Sequence, residues 1–169
     1  MAIFLKKLWT IITTIVLILV IVLAILLVGV RLVGIEPYTV LSGSMEPTYH
    51  VGSLIYVKEV DVNDLKVDEP ITFYLDGSTV ATHRIVEILP DTSNPDAIYF
   101  RTKGDANDSV DSNLIHSSKV IGKPIFTVPY LGYFSNFLQQ PEGFKFAIIA
   151  IAGLFLFIFI PDLLFKKKD

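Results

Sequence analysis

The chain has 169 residues, of which 52% are hydrophobic and 18% charged, where an ordinary soluble domain carries about a quarter charged. With a formal net charge of −3, that composition excludes a disordered tail and a basic nucleic-acid-binding protein. There is no cysteine, so the fold must rest on core burial rather than on disulfides.

Residues 1–7 carry Lys6 and Lys7. From Leu8 to Val30 there follow 23 residues without a charge. A helix of that length spans roughly 34 Å, more than a hydrocarbon core of about 30 Å. A cleaved secretory signal has a shorter apolar stretch, about 7–15 residues, and a small-x-small cleavage site. This run is longer and closes on Val-Gly-Val-Arg-Leu-Val-Gly, so residues 8–33 are expected to form an uncleaved transmembrane signal anchor.

Residues 34–140 read as one mostly β domain. Short β-branched and aromatic runs at 53–57, 71–75, 79–88, 97–102 and 119–128 are bounded by Gly, Pro, Asp and Asn. Asp76-Gly77-Ser78 is expected to turn a hairpin. Residues 90–96 read as a loop. The run 119–128 contains Gly122 and Pro124, which predict a strand at a sheet edge. No stretch of 36–128 has a long helical period. Residues 130–138 are aromatic-rich and are read as an interfacial belt or a short amphipathic helix, with a last piece of core as the alternative.

A second uncharged run, residues 146–160, has 15 residues and reaches 20 when extended to Phe165. It predicts a second transmembrane helix over 144–165, with an interfacial segment as the alternative, followed by a basic tail at 166–169. Lys6, Lys7 and Lys166 to Lys168 obey the positive-inside rule, so both termini are expected in the cytoplasm and the middle outside it. Residues 36–142 hold seven Lys/Arg against fifteen Asp/Glu, a net −8, while the rest carries +5. An acidic outer domain is not a nucleic-acid binder.

Three clusters could carry chemistry. Ser42-Gly43-Ser44-Met45-Glu46-Pro47-Thr48 sets a small hydroxyl on a tight turn, ten residues past the end of the anchor near Gly34. That tether reaches at most about 36 Å, which keeps Ser44 close to the bilayer. By itself the segment reads first as an ordinary linker turn. His83 lies within a strand. Thr102-Lys103-Gly104-Asp105-Ala106-Asn107-Asp108-Ser109-Val110-Asp111 is an acidic turn. Counted as a calcium loop from Asp105, the sixth residue is Val110 and the twelfth His116, where an EF-hand needs Gly and Glu. His50, His83 and His116 lack the paired short spacing of a zinc site, so neither metal nor cofactor is expected. Together the clusters supply Ser, His and Asp, the set for acyl transfer: a weak hydroxyl nucleophile, an imidazole base, and a carboxylate that orients it.

The residues 42–48 resemble the serine box of type I signal peptidases, peptidase family S26. His83-Arg84 stands where the usual bacterial enzymes carry Lys-Arg, and residues 103–107 with Asp111 resemble their Gly-Asp box. The histidine resembles the archaeal and endoplasmic-reticulum branch, also found in some spore-forming Gram-positive bacteria. The matched order covers about residues 38–125. The resemblance implies a small β-rich catalytic domain with Ser44 as nucleophile and His83 as general base. Asp105 and Asp111 are both candidate acids; that branch usually gives the His partner's role to the position of Asp111, leaving Asp105 as structural support. The Ser44 backbone N–H, with the Ser42 hydroxyl, would form the oxyanion hole. The implied partners are signal peptides of exported preproteins with small residues at −1 and −3, the lipid bilayer and the secretion translocon. The implied location is the cell membrane, or the endoplasmic-reticulum membrane in a eukaryote. Two other readings remain at this level: a non-catalytic membrane-anchored β-domain in cell-envelope assembly, and a Ser-Lys protease using Lys58 or Lys103.

Overall fold

Among the described residues, alternating apolar residues between turn formers fold the middle of the chain into one seven-stranded antiparallel sheet. The computed structural model describes residues 2–90 and 98–164. The chain divides into a β unit, residues 30–135, and a helical unit built from both ends.

In the β unit the strands are β1 (Ile35–Thr39), β2 (Leu54–Lys58), β3 (Pro70–Tyr74), β4 (Val80–Pro90), β5 (Ile98–Lys103), β6 (Ile115–His116) and β7 (Val120–Val128). Their spatial order is β1-β2-β7-β3-β4-β5-β6. The core gathers Ile71 and Phe73 from β3, Ile85 from β4, Phe100 from β5 and Ile115 from β6, with Leu65 beside them. Phe73, Phe100, Ile71 and Ile85 are fully buried. Each such side chain stabilises the fold by about 1.5–3 kcal/mol relative to exposure. The core therefore holds together β3, β4 and β5, the strands from which the site below is built.

The expected hairpin forms between β3 and β4, with Tyr74 paired to Val80. The Asp76 carboxylate accepts from the backbone N–H of Ser78 (3.3 Å) and Thr79 (2.9 Å), the local bond that makes Asp a turn former. Of the loop expected at 90–96, only Pro90 falls among the described residues, as the last residue of β4. Residue 97 and the basic tail at 166–169 also lie outside them.

The expectation that 119–128 forms an edge strand is overturned: β7 runs between β2 and β3. Its two halves are paired differently. Val120 and Gly122 pair with β3, while residues 123–128 pair with β2 across a bulge. Pro124, which has no N–H to give, falls in the half registered against β2 alone among the described pairings, so an inner strand tolerates it. Gly122 is required by proximity, since a Cβ there would lie 2.2 Å from the Lys58 carbonyl oxygen. The edges are instead β6 and β1; the latter is a strand the composition did not announce, and it too contains a proline, Pro37.

The helical unit contains α1 (Ala2–Leu27) and α3 (Pro141–Leu164). Phe4–Leu27 and Pro141–Ile158 are long and apolar enough to cross a membrane, with mean hydropathies of 3.2 and 1.8. Only 0% and 6% of these stretches is buried in the protein, unlike the core helix of a soluble domain. The hydroxyls of Thr10, Thr13 and Thr14 each bond to the carbonyl four residues back, so α1 presents no unpaired hydroxyl at those positions. Trp9 and Phe157 pack against each other with ring centroids 4.3 Å apart and planes tilted by 47°. Residues 131–139 form a third helix, α2 (Leu131–Gln139). It buries Gly132 and exposes Tyr133, Phe134 and Phe137, so the segment is a short helix with one face turned to the protein.

Candidate active site

Three segments converge on His83. The first is the loop between β1 and β2. Its neck is closed by backbone bonds from Val40 N–H to Ser53 C=O and from Gly52 N–H to Val40 C=O, both 2.9 Å. Within it Glu46 N–H donates to Gly43 C=O (3.0 Å) and Tyr49 N–H to Met45 C=O (2.9 Å). Met45 is buried, which anchors the loop one residue beyond Ser44. The motif thus uses its methionine as a plug and its small residues as a turn.

The second segment is β4. His83 pairs across the sheet with Ile71 of β3, and the Phe73 ring stands edge-on to the imidazole at 6.2 Å. Successive strand side chains point to opposite faces. His83 and Arg84 accordingly grip different parts of the third segment, the loop that leaves β5 at Lys103.

That loop reaches Ser44 directly. Ala106 N–H donates to the Ser44 carbonyl at 2.9 Å. A Cβ on Gly104 would stand 2.5 Å from the same oxygen, so only glycine allows this approach. Asp111 returns to β5 through its N–H, which donates to the Thr102 carbonyl at 2.8 Å.

The side chains form a line. Ser44 Oγ lies 3.2 Å from His83 Nε2, and His83 Nδ1 lies 2.6 Å from Asp111 Oδ2. A carboxylate only accepts, so Nδ1 carries the proton and Nε2 is left to accept from the Ser44 hydroxyl. Thr102 Oγ1 donates to the same Asp111 Oδ2 at 2.6 Å. His83 is 14% and Asp111 24% exposed, which limits water's access to the pair. Ser42 Oγ is 3.3 Å from Ser44 Oγ, on the exposed side.

Asp105 is held elsewhere. Arg84 grips it with both ends of its guanidinium, Nε to Oδ1 at 2.8 Å and Nη2 to Oδ2 at 2.7 Å. Thr48 Oγ1 also donates to it, and Arg84 Nη1 reaches the Asp68 carbonyl at 2.6 Å. Arg84 and Thr48 stand within the sequence motifs, but the sequence assigns them no role; in the structure they tie the serine loop, β4 and the Gly-Asp loop together. The bond from Arg84 holds the Asp105 carboxyl below the usual carboxylate range, against the opposing effect of partial burial, and the Thr48 hydroxyl adds to the lowering.

This shift has a sign that can be tested. A carboxylate with a lowered folded pKa stabilises the fold above its unfolded value, about 3.9, and loses that contribution as pH falls through the folded value. At pH 7 Asp105→Asn is expected to lower stability by roughly 1–2 kcal/mol, a figure reduced because the Arg84 side chain is 30% exposed. Thermal melts against pH should show that gap closing below about pH 4. A gap independent of pH would mean the ion pair is not its source.

The other sequence candidates sit apart from this line. His50 pairs with Glu46 on the serine loop, and His116 Nδ1 lies 2.8 Å from Ser118 Oγ at the start of a short 3₁₀ turn. Lys58 ends β2 and Lys103 ends β5; among the described residues neither hydrogen-bonds to Ser44. An open groove of about 660 Å³ borders His83, its lining mixing apolar Leu75, Val110 and Ile115 with polar Asn107 and Asp108.

Comparison with known proteins bears on what such a line of residues does. The family described as signal peptidase, peptidase S26, matches residues 10–77, which include the serine loop. Signal peptidase I W of Bacillus subtilis is 42% identical over 121 residues, covering 67% of this chain and 60% of the relative. The signal peptidase complex catalytic subunit SEC11C of Homo sapiens is 29% identical over 127 residues, covering 70% of this chain and 65% of the relative. The chain thus spans somewhat under two thirds of the length of these relatives. It belongs to the signal peptidases of peptidase family S26.

Proposed function

We propose that the protein is a membrane-bound serine endopeptidase that removes signal peptides from exported preproteins. The observation that carries this is the hydrogen-bonded line from Ser44 through His83 to Asp111, in a chain of the signal peptidase family. His83 Nε2 takes the Ser44 proton as Oγ attacks the scissile carbonyl, and the ring then gives that proton to the leaving amine. A water, deprotonated by the same nitrogen, hydrolyses the acyl-enzyme. Asp111 accepts from Nδ1–H, fixes the tautomer and stabilises the imidazolium. The Ser44 N–H and the Ser42 hydroxyl hold the oxyanion, where each donor is worth about 10²–10³ in rate. Asp105 supports the site through Arg84 and touches no reacting atom.

The two apolar helices support anchoring of residues 8–33 and 144–165 in the bilayer, with residues 34–140 as the extracytoplasmic peptidase domain. The basic residues at 6–7 and 166–168 support cytoplasmic termini in a multi-pass topology. The substrates of this reading are chains tethered in the same bilayer, delivered by the translocon, with small residues before the cut. An open groove borders His83 and Asp111, where a substrate chain would lie in this reading.

The test uses the full chain in detergent micelles or lipid vesicles with a radiolabelled preprotein. The expected product is one mature chain whose new N-terminus follows a small residue just past the hydrophobic segment. Absence of cleavage in vesicles that contain correctly folded enzyme would overturn the proposal.

A further inference from the structure

Thr102 sits where a strand pattern calls for an apolar side chain. In β5 the buried positions alternate, Phe100 then Thr102, both with 0% exposure, and Thr102 pairs across the sheet with Ile85 of the core. A hydroxyl in that row is unfavourable unless something accepts from it. Its acceptor is the Asp111 carboxylate, at 2.6 Å, on the very oxygen that meets His83 Nδ1. The Thr102 carbonyl meanwhile accepts the Asp111 N–H at 2.8 Å. One residue of a rigid strand therefore holds Asp111 at its backbone and at its carboxylate. Asp111 itself lies in a loop without regular structure, where side-chain torsions would otherwise be free. The other charged groups around the pair are engaged or peripheral: Asp105 is gripped by Arg84, and Asp108 lines the open groove.

We propose that Thr102 is a positioning residue: its hydroxyl fixes the Asp111 carboxylate so that Oδ2 meets His83 Nδ1 and the ring presents Nε2 to Ser44. This rests on the Ser44–His83–Asp111 mechanism proposed above. Thr102 is fully buried, so it acts through Asp111 and not on the substrate.

Thr102→Val keeps the shape and the backbone bond and removes only the donor. In steady-state cleavage by the full chain in micelles it should lower kcat about 10–100-fold, the worth of a hydrogen bond to a charged group, with KM nearly unchanged. Thr102→Ser should recover most of that loss. In an Asp111→Asn background Thr102→Val should change kcat by less than about twofold, because a residue acting through Asp111 has nothing left to position. Equal losses in the two backgrounds, or a folded Thr102→Ser that recovers nothing, would overturn the proposal. Should Thr102→Val fail to fold, Thr102→Cys, similar in size and a poor donor, takes its place with the same expectations. Full activity of Ser44→Ala or Asp111→Asn would sink the underlying mechanism. Loss in both with none in Thr102→Val would sink only the positioning role.

Discussion

Replacing Ser44 by alanine is expected to lower kcat for preprotein cleavage by roughly 10⁴–10⁶-fold, with KM little changed and thermal stability close to wild type. The side chain loses one oxygen that is partly exposed, while the loop keeps its buried Met45 and the bond from Ala106 N–H to the Ser44 carbonyl. His83→Ala should cost about as much, and the double replacement little more than either, because nucleophile and base act as one unit. Asp111→Asn should cost about 10⁴-fold, since an amide facing Nδ1 favours the wrong tautomer. Lys58→Ala is the control that separates this chemistry from a Ser-Lys mechanism. Lys58 is exposed at the end of β2, so its removal should leave kcat within about twofold, far below the scale of a catalytic group. Initial rates with a labelled preprotein would decide. A Ser44→Ala enzyme within tenfold of wild type rules out Ser44 as nucleophile, and a dead Lys58→Ala beside an active His83→Ala moves the base to lysine.

The residues in that experiment were readable in the sequence, whereas the contacts that align them were not. Strands β3 and β4 were legible because the apolar runs are interrupted by Asp76 and Gly77, whose chemistry makes turns. Strand β1 was not, because Glu36 and Pro37 break its pattern; the pairing of β1 with β2 along all five residues makes it a strand nonetheless. Strand β7 was found but misplaced, because its proline is excused by which half of the strand pairs with which neighbour, a tertiary matter. At the site, the order Ser44, His83, Asp111 followed from the boxes, but their meeting depends on register. Ile71 opposite His83 and Ile85 opposite Thr102 bring the loop after β5 under the imidazole. Thr102 heads the acidic turn in the sequence but carries no role there, since threonine is a common strand former and only burial distinguishes this one. Arg84 and Thr48 lie in the boxes, yet their pairing was not readable, because their shared partner, Asp105, is 21 and 57 residues away in the chain.

Gly104→Ala is the second large effect expected, and it tests alignment rather than chemistry. The added methyl would stand 2.5 Å from the Ser44 carbonyl oxygen and 2.7 Å from the Asn107 amide nitrogen. The amide can swing away. The carbonyl cannot, because it belongs to the residue that bears Oγ and already accepts from Ala106 N–H at 2.9 Å. The serine loop and the Gly-Asp loop must therefore separate by several tenths of an ångström or more, which lengthens the 3.2 Å approach of Ser44 to His83. Misplacement on the order of 1 Å costs about 10²-fold in rate, so kcat should fall about 10²-fold. Overpacking at one position destabilises by about 1–3 kcal/mol, so the protein should still melt cooperatively and the loss should not be one of folding. Gly77→Ala in the β3–β4 turn, where a Cβ meets nothing within 4 Å, is the matched control and should leave both rate and melting temperature near wild type. If Gly104→Ala kept a wild-type kcat, the serine loop could part from the Gly-Asp loop without disturbing attack. The contact between them would then be packing alone, and the alignment of Ser44 would have to come from Met45 and the neck of its own loop.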